Sequence, residues 1–310
     1  MTTLVTGAAG FIGSNLCSTL LKQGKSVIGI DNFITSDGSN LKALNKFPRF
    51  TFLKHDIINP LPKQLSASRL RLDAIYHLAC PTGVPNLTRL AEEMLLTCTV
   101  GTHNILELAK IKHAKFLFTS SSEVYGNPLV SPQKETYTGN VDPTGVRSPY
   151  EEGKRVSESW VMTYLRKYKL DAKIVRIFNT YGPGMNKSDT RVIPRFLSQT
   201  LKNQLLTLHG EGQQKRTFCY VDDLVAGLNL VMEKGKAAEV YNLGSDIQVT
   251  IKELAQLIIK ATKSKSLIKT VARPRHDHES RLPDLTKINR LDWFQKINLT
   301  KGIELTLKTT

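Results

Sequence analysis

The chain has 310 residues, with 43 Lys plus Arg against 27 Asp plus Glu, a formal net charge of +16 and 40% hydrophobic residues. That is enough chain to bury a substantial core, as one large unit or two closely joined lobes, and it excludes a disordered or fibrous protein. The positive balance steers anions such as phosphorylated substrates, but the basic residues are dispersed and form no long tail, so no nucleic-acid partner is expected.

MTTLVTG reads as a strand running into a Gly turn, which leaves no room for a secretory leader. No stretch approaches the length needed to cross a bilayer, and a soluble, cytoplasmic protein with no membrane partner is expected. After the strand Thr2 to Thr6 the pattern predicts a helix over Phe11 to Lys22 and strands over Ser26 to Asp31, Phe50 to Lys54 and Asp73 to Leu78. One long helix over Thr88 to Lys110, a strand over Ala114 to Thr119, a helix over Tyr150 to Tyr168 and a strand over Lys173 to Phe178 follow. This alternation implies an α/β fold, a Rossmann-type doubly wound parallel sheet whose ligands bind at the carboxyl ends of the strands.

Beyond Asn179 the texture changes. Gly182 to Asp189 reads as a loop, Arg191 to Lys202, Val221 to Glu233 and Ile251 to Ala261 as helices, and Leu205 to Leu208, Thr217 to Tyr220 and Val240 to Leu243 as short strands. A Trp-containing segment and a weak final helix end the chain. The expected division is a first domain over 1–180 and a smaller C-terminal lobe over 181–310, with a segment near 221–243 returning to the first.

TGAAGFIGSNL places Gly7, Gly10 and Gly13 between a strand and a helix. Glycines there permit a tight turn and close backbone approach to a pyrophosphate, whose charge the helix N-terminus favours. Asp31 ends the second strand, where a carboxylate can accept hydrogen bonds from an adenine ribose diol and repel a 2′-phosphate, so NAD is expected over NADP. Asp56 follows the third strand and either meets the adenine or caps a turn.

SSSEVYG at 120–126 follows a strand, and SPYEEGK at 148–154 opens a helix. Tyr150 and Lys154, four apart, share one helix face. The Lys154 ammonium is expected to lower the Tyr150 pKa and to bind the nicotinamide ribose, so that Tyr150 exchanges a proton with a substrate hydroxyl as hydride moves. The four cysteines, Cys17, Cys80, Cys98 and Cys219, form no CxxC pair, which argues against a disulfide framework or structural zinc and suits a reducing compartment. His77 reads as structural, His276 and His278 lack a convincing ligand spacing, and no metal is expected.

With TGAAGFIGS, Asp31, HLACP at 77–81, SSEVYG, YEEGKRVSE, RIFNTYGP and the RxxPD pattern from Arg281, the chain resembles the extended short-chain dehydrogenases/reductases, and among them the UDP-glucuronate decarboxylases, or UDP-xylose synthases. The resemblance implies an NAD-binding Rossmann domain followed by a nucleotide-sugar-binding lobe. It assigns Ser121 and Ser122 to positioning the substrate hydroxyl and Tyr150, Glu123 to the reacting sugar, and Tyr150 with Lys154 to the redox pair. Cofactor contacts are expected from Gly7, Gly10, Phe11, Ile12, Gly13, Asp31, Asn32, Asp56, Ile57 and Leu78 together with Tyr150 and Lys154. Substrate contacts are expected from Pro81, Glu123, Tyr150, Asn179, Arg216 and Arg281, with Arg216 near the phosphates and reacting sugar and Arg281 near the nucleotide diphosphate or its ribose.

The implied reaction is oxidation of UDP-glucuronate at C4 by NAD, loss of CO2 from the resulting β-keto acid, and reduction of the 4-keto pentose to UDP-xylose, redox-neutral overall. Where related 4,6-dehydratases carry an Asp-Glu pair this chain has Ser122-Glu123, which disfavours dehydration. Three departures stand out: Gly184 where relatives often have Arg, Cys98 where they usually have Asn, and a short CPTGVPN loop at 80–86. They keep UDP-glucuronate 4-epimerisation as the alternative, beside another nucleotide-sugar epimerase or dehydratase and a non-enzymatic nucleotide-sugar-sensing scaffold. The resemblance also implies a homodimer through a four-helix interface made by the helices near 88–110 and 150–168.

Overall fold

The structure, a computed structural model, describes residues 1–186, 189–272 and 281–309. The expected segment with His276 and His278 lies outside the described residues. Six strands succeed one another through the first part of the chain: β1 (Thr2–Thr6), β2 (Ser26–Asp31), β3 (Phe50–Lys54), β4 (Ala74–His77), β5 (Lys115–Ser121) and β6 (Ala172–Ile177). With the strand Val240–Leu243 they form a seven-stranded sheet in the order Val240–Leu243, β6, β5, β4, β1, β2, β3, every pair parallel. The interior strands β1 and β4 are buried almost throughout, so neither shows the alternation of a half-exposed strand.

The strand order reverses between β1 and β4, so the connections that leave their carboxyl ends run to opposite sides and leave a crevice between them. Gly7, Leu78 and Ser122 each follow directly on the carboxyl end of β1, β4 or β5, and Asp31 closes β2. The fold alone therefore brings four expected site segments to one edge.

One apolar cluster on one side of the sheet runs from Val5, Leu16 and Leu20 of the first helix region to Phe196, Leu254 and Ile303 of the C-terminal part. The helix Val221–Lys234 packs on the helix Phe11–Lys22, and Val240–Leu243 then pairs with β6 at the sheet edge. A second cluster on the other face joins Ile75, Phe116 and Phe118 to Ile105 and Val161 of the helices that cross it. The remaining lobe is built from small pieces: Leu206–His209 beside Ile268–Val271, Lys215–Thr217 antiparallel to Gln248–Thr250, and the helices Val192–Leu201, Ile251–Thr262 and Leu299–Leu307. The helix Ile251–Thr262 starts at a capping box in which Thr250 and Glu253 satisfy each other's backbone N–H.

The long helix expected over 88–110 is not continuous. Its run breaks at Leu90, whose φ of −124° and ψ of 33° separate Asn86–Arg89 from Ala91–Leu96, and a π-helical turn over Thr97–Gly101 precedes the helix Thr102–Lys112. The apolar period carried no mark of the wider turn, and Gly101 within it packs so closely that a Cβ there would meet Ile57 Cδ1 at 2.9 Å. The strand expected over Thr217 to Tyr220 is likewise two, Lys215–Thr217 and Cys219–Tyr220, each with a different partner. Among the described residues no helix is long and apolar enough to cross a membrane.

Candidate functional site

A cavity of about 1120 Å³ runs along the carboxyl edge of the sheet, from Asp31, Asn32 and Asp56 past Gly7, Gly10 and Gly13 to Tyr150 and Lys154. Its size exceeds that of an ordinary small-molecule pocket and suits two ligands side by side. Phe11, Ile12, Ile57, Leu78, Pro81, Ser121, Ser122, Glu123 and Asn179 also line it.

At the glycine turn, a Cβ on Gly13 would lie 2.0 Å from the Gly7 carbonyl oxygen, so no side chain fits there and the first helix starts hard against the turn. Gly10 caps that helix with extended backbone and no side-chain bond, leaving the first N–H groups aimed at the cavity. Asp31 ties the turn to the second strand: its carboxylate accepts from the Ala9 N–H at 3.0 Å and the Phe33 N–H at 2.8 Å. Burial raises the Asp31 pKa from its ordinary value while these backbone donors pull the other way. Asp56 accepts from Asn32 Nδ2 at 2.8 Å and from the Ile58 N–H at 3.1 Å, so it caps its turn and also faces the cavity. These groups fit a dinucleotide: a side-chain-free cradle for a pyrophosphate, and a carboxylate beyond it for a ribose diol.

The other end is assembled by side chains from distant segments. Ser121 caps a short 3₁₀ turn, Ser122–Tyr125, by accepting the Glu123 N–H at 3.2 Å, which projects Glu123 from the end of β5. Two guanidinium groups meet the Glu123 carboxylate: Arg147 Nη2 at 2.5 Å from Oε2, and Arg281 through Nη1 at 2.5 Å from Oε1 and Nη2 at 3.0 Å from Oε2. Arg281, only 5% exposed, also donates to Ser122 Oγ at 3.3 Å and the Gly126 carbonyl at 3.1 Å. Its polar contacts go to Ser122, Glu123 and Gly126, and it is not among the residues that line the cavity.

Lys154 projects from the helix Ser148–Tyr168, is buried, and donates to the Thr119 carbonyl of β5 at 2.9 Å. Burial opposes its charge, yet the surrounding Cys80, Tyr150 and Cys98 hold its pKa above the ordinary value. Two opposed influences meet at Tyr150. Burial pushes its phenol up to about 12, and the nearby Lys154 ammonium and Ser121 hydroxyl only partly oppose that rise. The sequence showed the favourable charge one helical turn away but not the depth of the pocket in which the phenol sits. His77, between Thr6 Oγ1 at 2.8 Å and Thr102 Oγ1 at 3.0 Å, is buried, and burial, reinforced by Lys154, drives its pKa down to about 3.

Asn179 lines the cavity and its carbonyl accepts the Cys219 N–H at 2.9 Å. Arg216 is not brought to the lining; it lies on Lys215–Thr217, opposite Val249, and donates to the Lys215 carbonyl at 2.8 Å. Gly184 lines the cavity with a φ of +89°, a conformation that disfavours the side chain relatives often carry, and its carbonyl accepts from Asn40 Nδ2 at 3.0 Å. Arg147 was missed in the sequence although it stands three residues before Tyr150, one turn away on the same helical entry. Among the described residues no group of three metal-binding side chains is assembled.

Against known proteins, residues 4–306 match the family described as GDP-mannose 4,6 dehydratase. UDP-glucuronic acid decarboxylase 6 of Arabidopsis thaliana is 43% identical over 98% of this chain and 87% of its own length. Among solved structures, a UDP-glucose 4-epimerase from Thermotoga maritima with UDP-glucose superposes with a TM-score of 0.91 at 28% identity, covering 100% of this chain and 98% of that one. A UDP-glucuronic acid 4-epimerase from Bacillus cereus, in complex with UDP-glucuronic acid and NAD, gives a TM-score of 0.89 at 29% identity over 100% and 98% of the two chains.

Proposed function

The chain belongs to the GDP-mannose 4,6 dehydratase family, within the extended short-chain dehydrogenases/reductases that modify nucleotide sugars, and from that premise we propose that it is an NAD-dependent UDP-glucuronate decarboxylase releasing UDP-xylose. The observation that carries the reading is the placement of Glu123, clamped by Arg147 and Arg281, in the same cavity as Tyr150, Lys154 and the glycine turn. Similarity to decarboxylases along nearly the whole chain supports it.

NAD, held by the glycine turn and Asp31, supplies a hydride acceptor at the sugar C4 and a donor for the return step. Tyr150 takes the C4 hydroxyl proton, and its phenolate needs positive charge nearby because burial works against it. Lys154, fixed by Thr119, supplies that charge and holds the ribose. The 4-keto sugar carries its carboxylate on the adjacent carbon, so the C5–C6 bond breaks as CO2 leaves and the electron pair is delocalised into the C4 carbonyl. A carboxylate gripped by a cation resists becoming neutral CO2. Here Glu123 already partners both guanidiniums, which lets Arg147 and Arg281 orient the sugar end without fully stabilising the departing charge. Ser121 and Ser122 position the C4 oxygen and the Tyr150 hydroxyl, C5 takes up a proton, and Tyr150 returns its proton to the C4 oxygen as the keto group is reduced.

UDP-glucuronate 4-epimerisation is the second reading, favoured by Gly184, which leaves the loop over the cavity without a side chain and gives a rotating 4-keto sugar room. Purified protein given NAD and UDP-glucuronate labelled in the carboxylate separates the two: labelled CO2 with a UDP-pentose supports decarboxylation, and UDP-galacturonate without CO2 replaces it with epimerisation. Binding of both ligands with no turnover would leave a nucleotide-sugar-sensing scaffold.

The site residues fall into the same proposal: Asp31, Asn32, Asp56, Ile57 and Leu78 at the cofactor, Pro81 and Asn179 at the sugar. Arg216 enters only if its lobe brings it toward the bound diphosphate. The protein works as a cytoplasmic homodimer, supported by four free cysteines and by Leu95, Val100 and Tyr168, which stay exposed on the two helical segments expected to form the interface. Light scattering on the eluting protein tests the dimer.

A further inference from the structure

Two cysteines, one of them a departure from the family pattern, meet in space. Cys80, in the segment after β4, lines the cavity, and its Sγ stands 3.6 Å from Sγ of Cys98 in the π-helical turn Thr97–Gly101. Cys98 is buried against the helix that carries Tyr150 and Lys154: its Sγ lies 3.2 Å from where a Gly153 Cβ would be, and its carbonyl accepts from Ser157 Oγ at 2.7 Å. The neighbouring Ala79 packs on Gly7, so a dinucleotide running from the glycine turn to Lys154 passes over Cys80. The other two cysteines, Cys17 and Cys219, are enclosed far from this pair, and burial pushes both thiols up.

We propose that Cys80 and Cys98 form an oxidisable dithiol site in the wall of the cofactor cavity, which peroxides close to an intramolecular disulfide. The charges suit this chemistry. The contact between the two sulfurs and the Lys154 ammonium draw the Cys98 thiol below its ordinary value, burial opposing, while Cys80 is raised. Cys80, the sulfur open to the cavity, gives its proton to solvent and attacks a peroxide oxygen; the O–O bond breaks, the departing hydroxide takes up a proton as water, and Cys80 is left as a sulfenic acid. The Cys98 thiolate then attacks Cys80 Sγ, the S–O bond breaks, and hydroxide leaves to be protonated by solvent. Two thiols are oxidised by two electrons and one peroxide is reduced to two waters. Closing the sulfurs from 3.6 Å to a bond of about 2.05 Å pulls the segment after β4 toward the π-turn and reshapes the wall on which the cofactor lies.

The test is peptide mapping of the reduced, full-length protein after brief exposure to hydrogen peroxide, with and without saturating NAD. The expected result is a peptide linking Cys80 to Cys98, with Cys17 and Cys219 unmodified, formed more slowly under NAD. The linked protein should bind NAD about tenfold or more weaker, the scale on which a displaced pocket wall acts, and dithiothreitol should restore it. Cys98→Ala should stop the reaction at a Cys80 sulfenic acid that dimedone traps; if that variant fails to fold, the wild-type map decides alone. Oxidation that stays on one sulfur, joins two chains, or links the pair without changing NAD affinity would overturn the proposal. The mapping needs no sugar substrate, so failure of the decarboxylase reading leaves it standing.

Discussion

The two ends of the cavity are built from different materials. At the adenosine end the parts are largely backbone: the Gly7 to Gly13 turn, a helix start, and Asp31 held by the N–H groups of Ala9 and Phe33. At the reacting end the contacts are made by side chains from separate segments, with Glu123 joined to Arg147 and Arg281, Lys154 to the Thr119 carbonyl, and Cys80 to Cys98. The first end binds a common cofactor with a local device, whereas the second depends on the fold to bring remote side chains to one carboxylate.

Substitutions at the two ends should therefore separate cleanly. Tyr150→Phe removes the proton exchange and should lower turnover by about 10²- to 10⁴-fold while NAD affinity holds, read by steady-state rates beside calorimetry. Normal turnover would remove Tyr150 from the redox pair. Arg281→Ala and Glu123→Gln should each cost about tenfold or more in kcat, and the double variant should cost much less than their product because they act as one unit. Multiplying losses would show that the clamp is not shared. Asp31→Ala should weaken NAD by about tenfold, the loss of one to two hydrogen bonds, and narrow discrimination against NADP, with kcat at saturating NAD little changed. An unchanged preference would take Asp31 out of the cofactor site.

The last effect falls on stability rather than on catalysis or binding. His77 titrates near 3 in the folded chain against an ordinary value of 6.5, so the unfolded chain binds the extra proton between those values. Stability is then lost as pH falls from 6.5 toward 3, by about 1.4 kcal/mol per pH unit from this group. His77→Gln should flatten the slope of Tm against pH in that window, and a parallel slope would mean that His77 does not titrate there.

The same contrast decides what could be read from the sequence. The glycine turn, Asp31 and the strands β1 to β3 lie where the residue pattern puts them, since their determinants are local: small residues where backbones meet, and β-branched or apolar runs ending in a carboxylate. The Tyr150 and Lys154 pair was legible for the same reason, being one helical turn apart. Arg147 was not, because a lone Arg before a helix carries no sign of the Glu123 it will meet. Nor could the π-turn over Thr97–Gly101 be seen, where Gly101 packs on Ile57, a residue far away in the chain. The burial that lifts Tyr150 is likewise a property of the assembled cavity.

The most direct test of the account follows a deuterium label placed at C4 of UDP-glucuronate through the reaction by time-resolved NMR. The account predicts a UDP-pentose that retains the label at C4, carries a solvent hydrogen at C5, and appears together with CO2 and no net change in NAD. Loss of the C4 label to solvent, or a labelled six-carbon sugar formed without CO2, would contradict it.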